Sequence, residues 1–245
     1  MKRWIYLTYG VACHAQFLAT YALMACFVGD LGIGWSIDSP PAARPPLQAF
    51  AIDLGLLLLF AVPHSIMARP AFKRVWTRLV PEPIERSTYV LVSNVLMLAL
   101  MALWQPLGGT VWSIEQPAGR RLVWALFGAG WLLVPLASLM IDHFDLFGTR
   151  QVWLHFRGLE YRPLPFQARA LYRSIRHPLY VGWALAFWAT PTLSAGHLLF
   201  ASVLTLYMLL AVRIEERDLV RHLGRQYEEY RERVPMFVPR IGSSS

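Results

Sequence analysis

The densest run of chemically capable residues lies late in the chain, as Arg173-Ser174-Ile175-Arg176-His177-Pro178-Leu179-Tyr180-Val181-Gly182. A proline ring disfavours the right-handed helical region for the residue before it, so the sequence predicts a break at His177 and a helix start at Pro178. Backbone amides at such a start point into the preceding loop. Together with Arg173, Arg176 and His177 they make a receptor for a carboxylate or phosphate. Gly182, one turn in, admits a ligand or a neighbouring helix. Farther on, Glu215 and Glu216 end an apolar run, where carboxylates accept hydrogen bonds from an ammonium or from ribose hydroxyls. Taken alone, the same pair reads first as a solvated helix end neutralised by Arg213 and Arg217.

Ionisable residues inside apolar runs are costly and mark candidate sites by default. His14 and Gln16 lie in the first such run, Asp53 and His64 in the second. Asp53 and His64 return to nearly the same helix face but stand about 16 Å apart along the axis, too far for contact. His64, Asp142, His143 and His177 fall at the ends of their runs and are expected to gather at one membrane boundary. Imidazole and carboxylate are ordinary metal ligands, yet no two of these histidines have the close spacing of a zinc motif, so a metal is not expected. His14 reads as a hydrogen-bonded contact between helices. Cys13 and Cys26 share one run, too far apart for a disulfide, and read as small apolar core residues.

The elements that must position these residues follow from composition. Of 245 residues, 56% are hydrophobic and only 16% charged, against about 25% charged in soluble domains. The net charge of +8 is therefore not a nucleic-acid footprint, and no nucleic-acid partner is expected. Apolar runs predict spans over Trp4 to Val28, Leu47 to Ala68, Ser87 to Trp104 and Leu122 to Ile141. A longer run, Leu179 to Val212, exceeds one crossing of about 20 residues. Pro191, Ser194 and Gly196 interrupt it, which predicts a helical hairpin with two short arms, the first not fully crossing. The expected fold is an all-α integral membrane protein of four transmembrane helices plus a C-terminal helical hairpin.

Basic residues orient such a chain. With both termini cytoplasmic, only Arg44, Arg120 and Arg121 of the 23 Lys and Arg residues fall outside. The expected location is the cytoplasmic (inner) membrane, multi-pass and in contact with membrane lipid. The first run is too long for a secretory signal and lacks a small-residue cleavage site. Leu219, Leu223, Tyr227 and Tyr230 would lay an amphipathic terminal helix on the core or the membrane surface. Ser243 to Ser245 reads as a frayed end.

These motifs carry a resemblance. Arg176-His177-Pro178-Leu179-Tyr180-Val181-Gly182, followed by Glu215-Glu216, Gly224, Tyr227, Tyr230 and Val234-Pro235, resembles the isoprenylcysteine carboxyl methyltransferase type of membrane methyltransferase, and more loosely the phospholipid N-methyltransferases. His64-Ser65-Ile66-Met67-Ala68-Arg69-Pro70, Pro83 to Val90, His143 to Gly148 and Tyr6 to Gly10 are similar to bacterial methanethiol S-methyltransferases over nearly the whole chain. The resemblance implies a single membrane domain over 1–245, with cytoplasmic cofactor-binding loops and a cofactor-binding region over 142–240. It implies S-adenosyl-L-methionine as donor and a small thiol substrate. In that reading Arg173, Arg176 and His177 with the Pro178 helix start hold the methionine carboxylate, Tyr180 and Gly182 line the cavity, and Glu215 and Glu216 take the ammonium or ribose. A free thiol is mostly protonated at neutral pH, so a base is needed. His64 and His143 are the candidates, with Asp142 or Asp145 orienting an imidazole. Methylation of a lipid amine or a prenylcysteine-like carboxylate, or a non-enzymatic transporter or scaffold, are the competing readings.

Overall fold

The computed structural model describes residues 1–32 and 35–239, and the expected frayed end at Ser243 to Ser245 lies outside the described residues. Among the described residues, five helices are long and apolar enough to cross a membrane: α1 (Lys2–Gly29), α2 (Pro46–Met67), α4 (Glu82–Leu103), α5 (Pro117–Ile141) and α9 (Ala195–Leu223). Shorter helices connect them, namely α3 (Pro70–Trp76), α6 (His143–Leu146), α7 (Thr149–Arg157), α8 (Pro178–Trp188) and α10 (Arg225–Arg233). The chain is a multi-pass, all-α membrane protein.

Proline sets most of the helix starts. It occupies the first turn of α2, α3, α4, α5 and α8, where its fixed φ suits a helix and its missing N–H costs nothing. This explains why α4 and α5 begin five residues before the apolar runs that predict them. Glu82 and Glu85 in the first turn of α4 complement its dipole. The apolar side chains left exposed along these helices, such as Leu59, Leu132, Leu139 and Leu206, are those a lipid phase would cover.

The C-terminal hairpin departs from expectation in its second arm. The first arm, α8, has 11 residues, about 17 Å at the helical rise and short of a hydrocarbon core of about 30 Å. The second, α9, has 29 and is not short. Between them a strand, β2 (Thr192–Ser194), pairs antiparallel with β1 (Thr110–Ser113) in the connection that follows α4. Ala195 N–H adds a bond to Gly109 O at 2.9 Å. The hairpin tip is thus tied to the connection between α4 and α5. Apolar periodicity carries no signal for so short a pairing. Measured from Ala195, Glu215 stands about 30 Å down α9, one hydrocarbon thickness away.

Contacts divide the chain into two compact units. The first comprises Met1–Ile114, Phe144–Pro163 and Thr192–Leu204. Within it α4 packs against α1, α2 and α7. Gly148, at φ 87°, turns the chain into α7, and a Cβ there would lie 2.6 Å from the Ser87 amide nitrogen, so no other residue fits. The second unit comprises Glu115–His143, Leu164–Pro191 and the chain from Thr205 on, with α5 and α8 packed closely together. Leu219 and Leu223 at the end of α9 join Tyr227, Tyr230, Val234 and Phe166 in one apolar cluster. Gly224, at φ 56°, splits the expected terminal helix between α9 and α10.

Candidate functional site

In the second unit the motif around His177 forms the predicted break. His177, at φ −128° and ψ 58°, is outside the helical region, and Pro178 is the first residue of α8. A short 3-10 turn, Ala170–Arg173, precedes it. Arg176, His177 and Glu216 are buried together. Arg176 Nε–H donates to Glu216 Oε1 at 2.7 Å, and His177 Nε2–H donates to the same oxygen at 3.0 Å. Arg176 also donates to the carbonyls of Arg231, at 3.0 Å, and Val234. The amides of Arg176 and His177 donate to Pro235 O and Met236 O at 2.9 and 3.1 Å. The first-turn amides of Tyr180 and Val181 return to His177 O. This group is a clamp: the guanidinium and two loop amides fix residues 231–236 at the start of α8, and the imidazole joins the guanidinium on Glu216.

Glu215, the other member of the pair, is half-buried and accepts from the Tyr180 hydroxyl at 2.9 Å through Oε2. Arg173 is exposed, and its Nε reaches Ala168 O at 3.4 Å. The two glutamates therefore have different surroundings, and neither relies on Arg213 or Arg217, the partners expected of a solvated helix end. Tyr230 closes the group. Burial pushes its hydroxyl up to about 12, so it stays protonated and donates to Tyr172 O at 2.6 Å. Gly182 faces α5, where a Cβ would lie 2.9 Å from Val134 Cγ2 and 3.2 Å from Gly130 O. Of the two uses open to this glycine, the structure displays the close approach of a neighbouring helix.

His143, also in the second unit, is buried, with Nδ1 2.7 Å from Ser138 Oγ. The single hydroxyl hydrogen of Ser138 goes to Pro135 O at 2.8 Å. Its oxygen is therefore placed to accept from Nδ1–H. Asp142 caps α5, its amide donating to Ser138 O at 3.1 Å.

The remaining candidates lie in the first unit. His64 is stacked on Phe60 with ring centroids 5.2 Å apart. Ser93 gives its hydrogen to Tyr89 O at 2.8 Å and so accepts His64 Nδ1–H at 2.9 Å. The Tyr89 hydroxyl, 3.0 Å from Nε2, donates to the other nitrogen. Both ring nitrogens of His64 are thus engaged inside the protein. Asp145 pairs with Arg150 at 2.8 Å and accepts from the Tyr161 hydroxyl at 3.3 Å. Burial, then this carboxylate, hold Tyr161 above its usual range and keep it a donor. His14 bonds Thr149 Oγ1 at 2.8 Å, the interhelical contact expected of it.

Sequence reasoning missed the two serines. Each imidazole considered as a base is oriented at Nδ1 by a serine hydroxyl that is itself fixed by a helix carbonyl. A serine five or twenty-nine residues from a histidine leaves no mark in the sequence.

No family model and no solved structure matches the chain. It is similar to the methanethiol S-methyltransferase of Mycobacterium tuberculosis, 49% identical over 239 residues and covering 98% of each chain. To the methanethiol S-methyltransferase of Crocosphaera subtropica it is 46% identical over 245 residues, covering 100% of this chain and 96% of the relative. Human nurim is 34% identical over 194 residues, covering 76% of this chain and 73% of nurim. At such identity along nearly its whole length, the chain belongs to the methanethiol S-methyltransferase family.

Proposed function

We propose that this protein methylates a small thiol, methanethiol, to a thioether, dimethyl sulfide, with S-adenosylmethionine as the methyl donor. The reading is carried by the near full-length similarity to two enzymes named for that activity. The chemistry of the second unit fits such a donor. A half-buried carboxylate with one oxygen tied to Tyr180 suits an ammonium or ribose hydroxyls, and an exposed guanidinium on the preceding turn suits a carboxylate. Glu215 and Arg173 would hold the cofactor within the region 142–240. Arg176, His177 and Glu216 would keep the C-terminal segment and the start of α8 in place around it, and Gly182 would let α8 seat against α5.

When bound, S-adenosylmethionine supplies a methyl group on a sulfonium centre. The protein supplies alignment, exclusion of water and the thiol's deprotonation. His143 would act as the base, with its Nδ1 held by Ser138 and the proton taken at Nε2. His64, bonded through both nitrogens to Ser93 and Tyr89, would support the architecture. Asp142 and Asp145 enter as residues that shape the ends of α5 and α7. In this reading the bias of the basic residues would set both termini and the segment 142–178 on the cytoplasmic side, with the protein in the inner membrane.

Headspace gas chromatography of membranes carrying this protein, supplied with S-adenosylmethionine and methanethiol, tests the reading. Dimethyl sulfide is expected from the intact chain and not from Glu215→Gln. Binding of S-adenosylmethionine without dimethyl sulfide would reject the acceptor and keep the donor. Absence of binding by folded protein would reject both.

A further inference from the structure

The connection between α2 and α4 runs from one membrane-spanning helix into the next, so it lies at the level of lipid headgroups. One face of α3 is fixed to the protein. Phe72 packs on the cluster of Met67, Tyr89 and Val90 and stacks on Trp76 at 5.6 Å. Lys73 Nζ stands 3.8 Å from Glu85 Oε2. Burial and the neighbouring Arg86 hold this ammonium below the usual lysine range.

Other residues of α3 and of the turn that follows it are exposed and different in kind. Val75 is 59% exposed and Leu79 is 79% exposed, one turn apart. Arg74 and Arg78 are exposed beside them with the same spacing. Neither guanidinium has a side-chain hydrogen bond or ion pair among the described residues. Two unpaired cations next to two bare apolar side chains, held at headgroup depth, call for an anion joined to an apolar body. We propose that this exposed patch, Arg74 and Val75 at the end of α3 with Arg78 and Leu79 in the turn after it, binds the headgroups of anionic phospholipids, the guanidiniums on phosphate and the apolar pair among the glycerol and upper acyl chains. A second copy of the chain fits poorly, since a two-fold contact would bring like charges together. A soluble acidic protein would leave the apolar pair without hydrocarbon.

The full-length chain in neutral detergent, titrated with short-chain phosphatidylglycerol or phosphatidylcholine and followed by native mass spectrometry, tests this. Phosphatidylglycerol is expected to bind more tightly. Arg74→Gln or Arg78→Gln should each reduce that preference about fivefold, and the pair more. Val75→Ser with Leu79→Ser should weaken both lipids alike. All four side chains are exposed, so the variants are expected to fold, which far-ultraviolet circular dichroism checks. An unchanged preference in the double arginine variant would overturn the proposal. So would a loss of dimer mass with lipid binding intact, which would assign the face to a second copy.

Discussion

Arg176, His177 and Glu216 show how a sequence motif acquires its meaning from partners far along the chain. Arg176 lies 40 residues before the carboxylate it meets and 58 before one of the carbonyls it holds. Both charged side chains of the pair are only 8% exposed. Arg176→Met should therefore leave a buried carboxylate without its cation and cost about 3–5 kcal/mol, read as thermal unfolding in detergent. Arg176→Met combined with Glu216→Leu should recover much of that loss. The Ser138–His143 pair makes a second demand. His143→Gln should lower turnover about 10²–10⁴-fold. Ser138→Ala, which removes one hydrogen bond of about 1.5 kcal/mol, should lower it about tenfold and displace the pH–rate profile. S-adenosylmethionine affinity should hardly move in either. A full rate in His143→Gln would remove it as the base. An unmoved pH profile in Ser138→Ala, with His143→Gln inactive, would leave the base and remove only its orienting group.

The pairing of α5 with α8 is the element on which the candidate site depends, and two glycines permit it. A Cβ on Gly130 would come within 2.5 Å of Ala186 N and 2.9 Å of Gly182 O, both backbone atoms that cannot move aside. A Cβ on Gly182 would meet the flexible Val134 Cγ2 at 2.9 Å but also Val134 N at 3.1 Å. Gly130→Ala is thus expected to destabilise more than Gly182→Ala, both on the scale of about 1–3 kcal/mol for overpacking. Gly128→Ala, on the same helix with open space around it, should be neutral or stabilise by up to about 1 kcal/mol. Differential scanning fluorimetry of the three variants checks the order. A glycine in an apolar run tells the reader that something comes close. It does not say whether that is a helix or a ligand.

At the scale of the whole molecule, the topology proposed from charge placement is open to direct test. Arg44→Cys should react with a membrane-impermeant maleimide in intact cells, and Arg157→Cys only after permeabilisation, with Cys13 and Cys26 as the background to subtract. The reverse pattern would invert the chain in the membrane. Much of this architecture was legible in the sequence, because apolar run length, proline at helix starts and the bias of Lys and Arg are local signals that a bilayer reads directly. They gave the membrane class, the bounds of α1, α2, α4 and α5 to within five residues, the start of α8 and the clustering of Leu219, Leu223, Tyr227 and Tyr230, but not the length of α9, expected as a short arm. Family membership was equally legible, since motif order survives in the linear chain. Tertiary structure alone decided that Glu216 faces inward to Arg176 and His177 while Glu215 meets Tyr180. It also decided that Ser138 and Ser93 set the two imidazoles, and that the hairpin tip is tied to β1. Each of these is a pairing between segments distant in sequence, chosen by which side chains a packed helix face brings within hydrogen-bond reach, and no periodicity along one segment encodes what the facing segment presents.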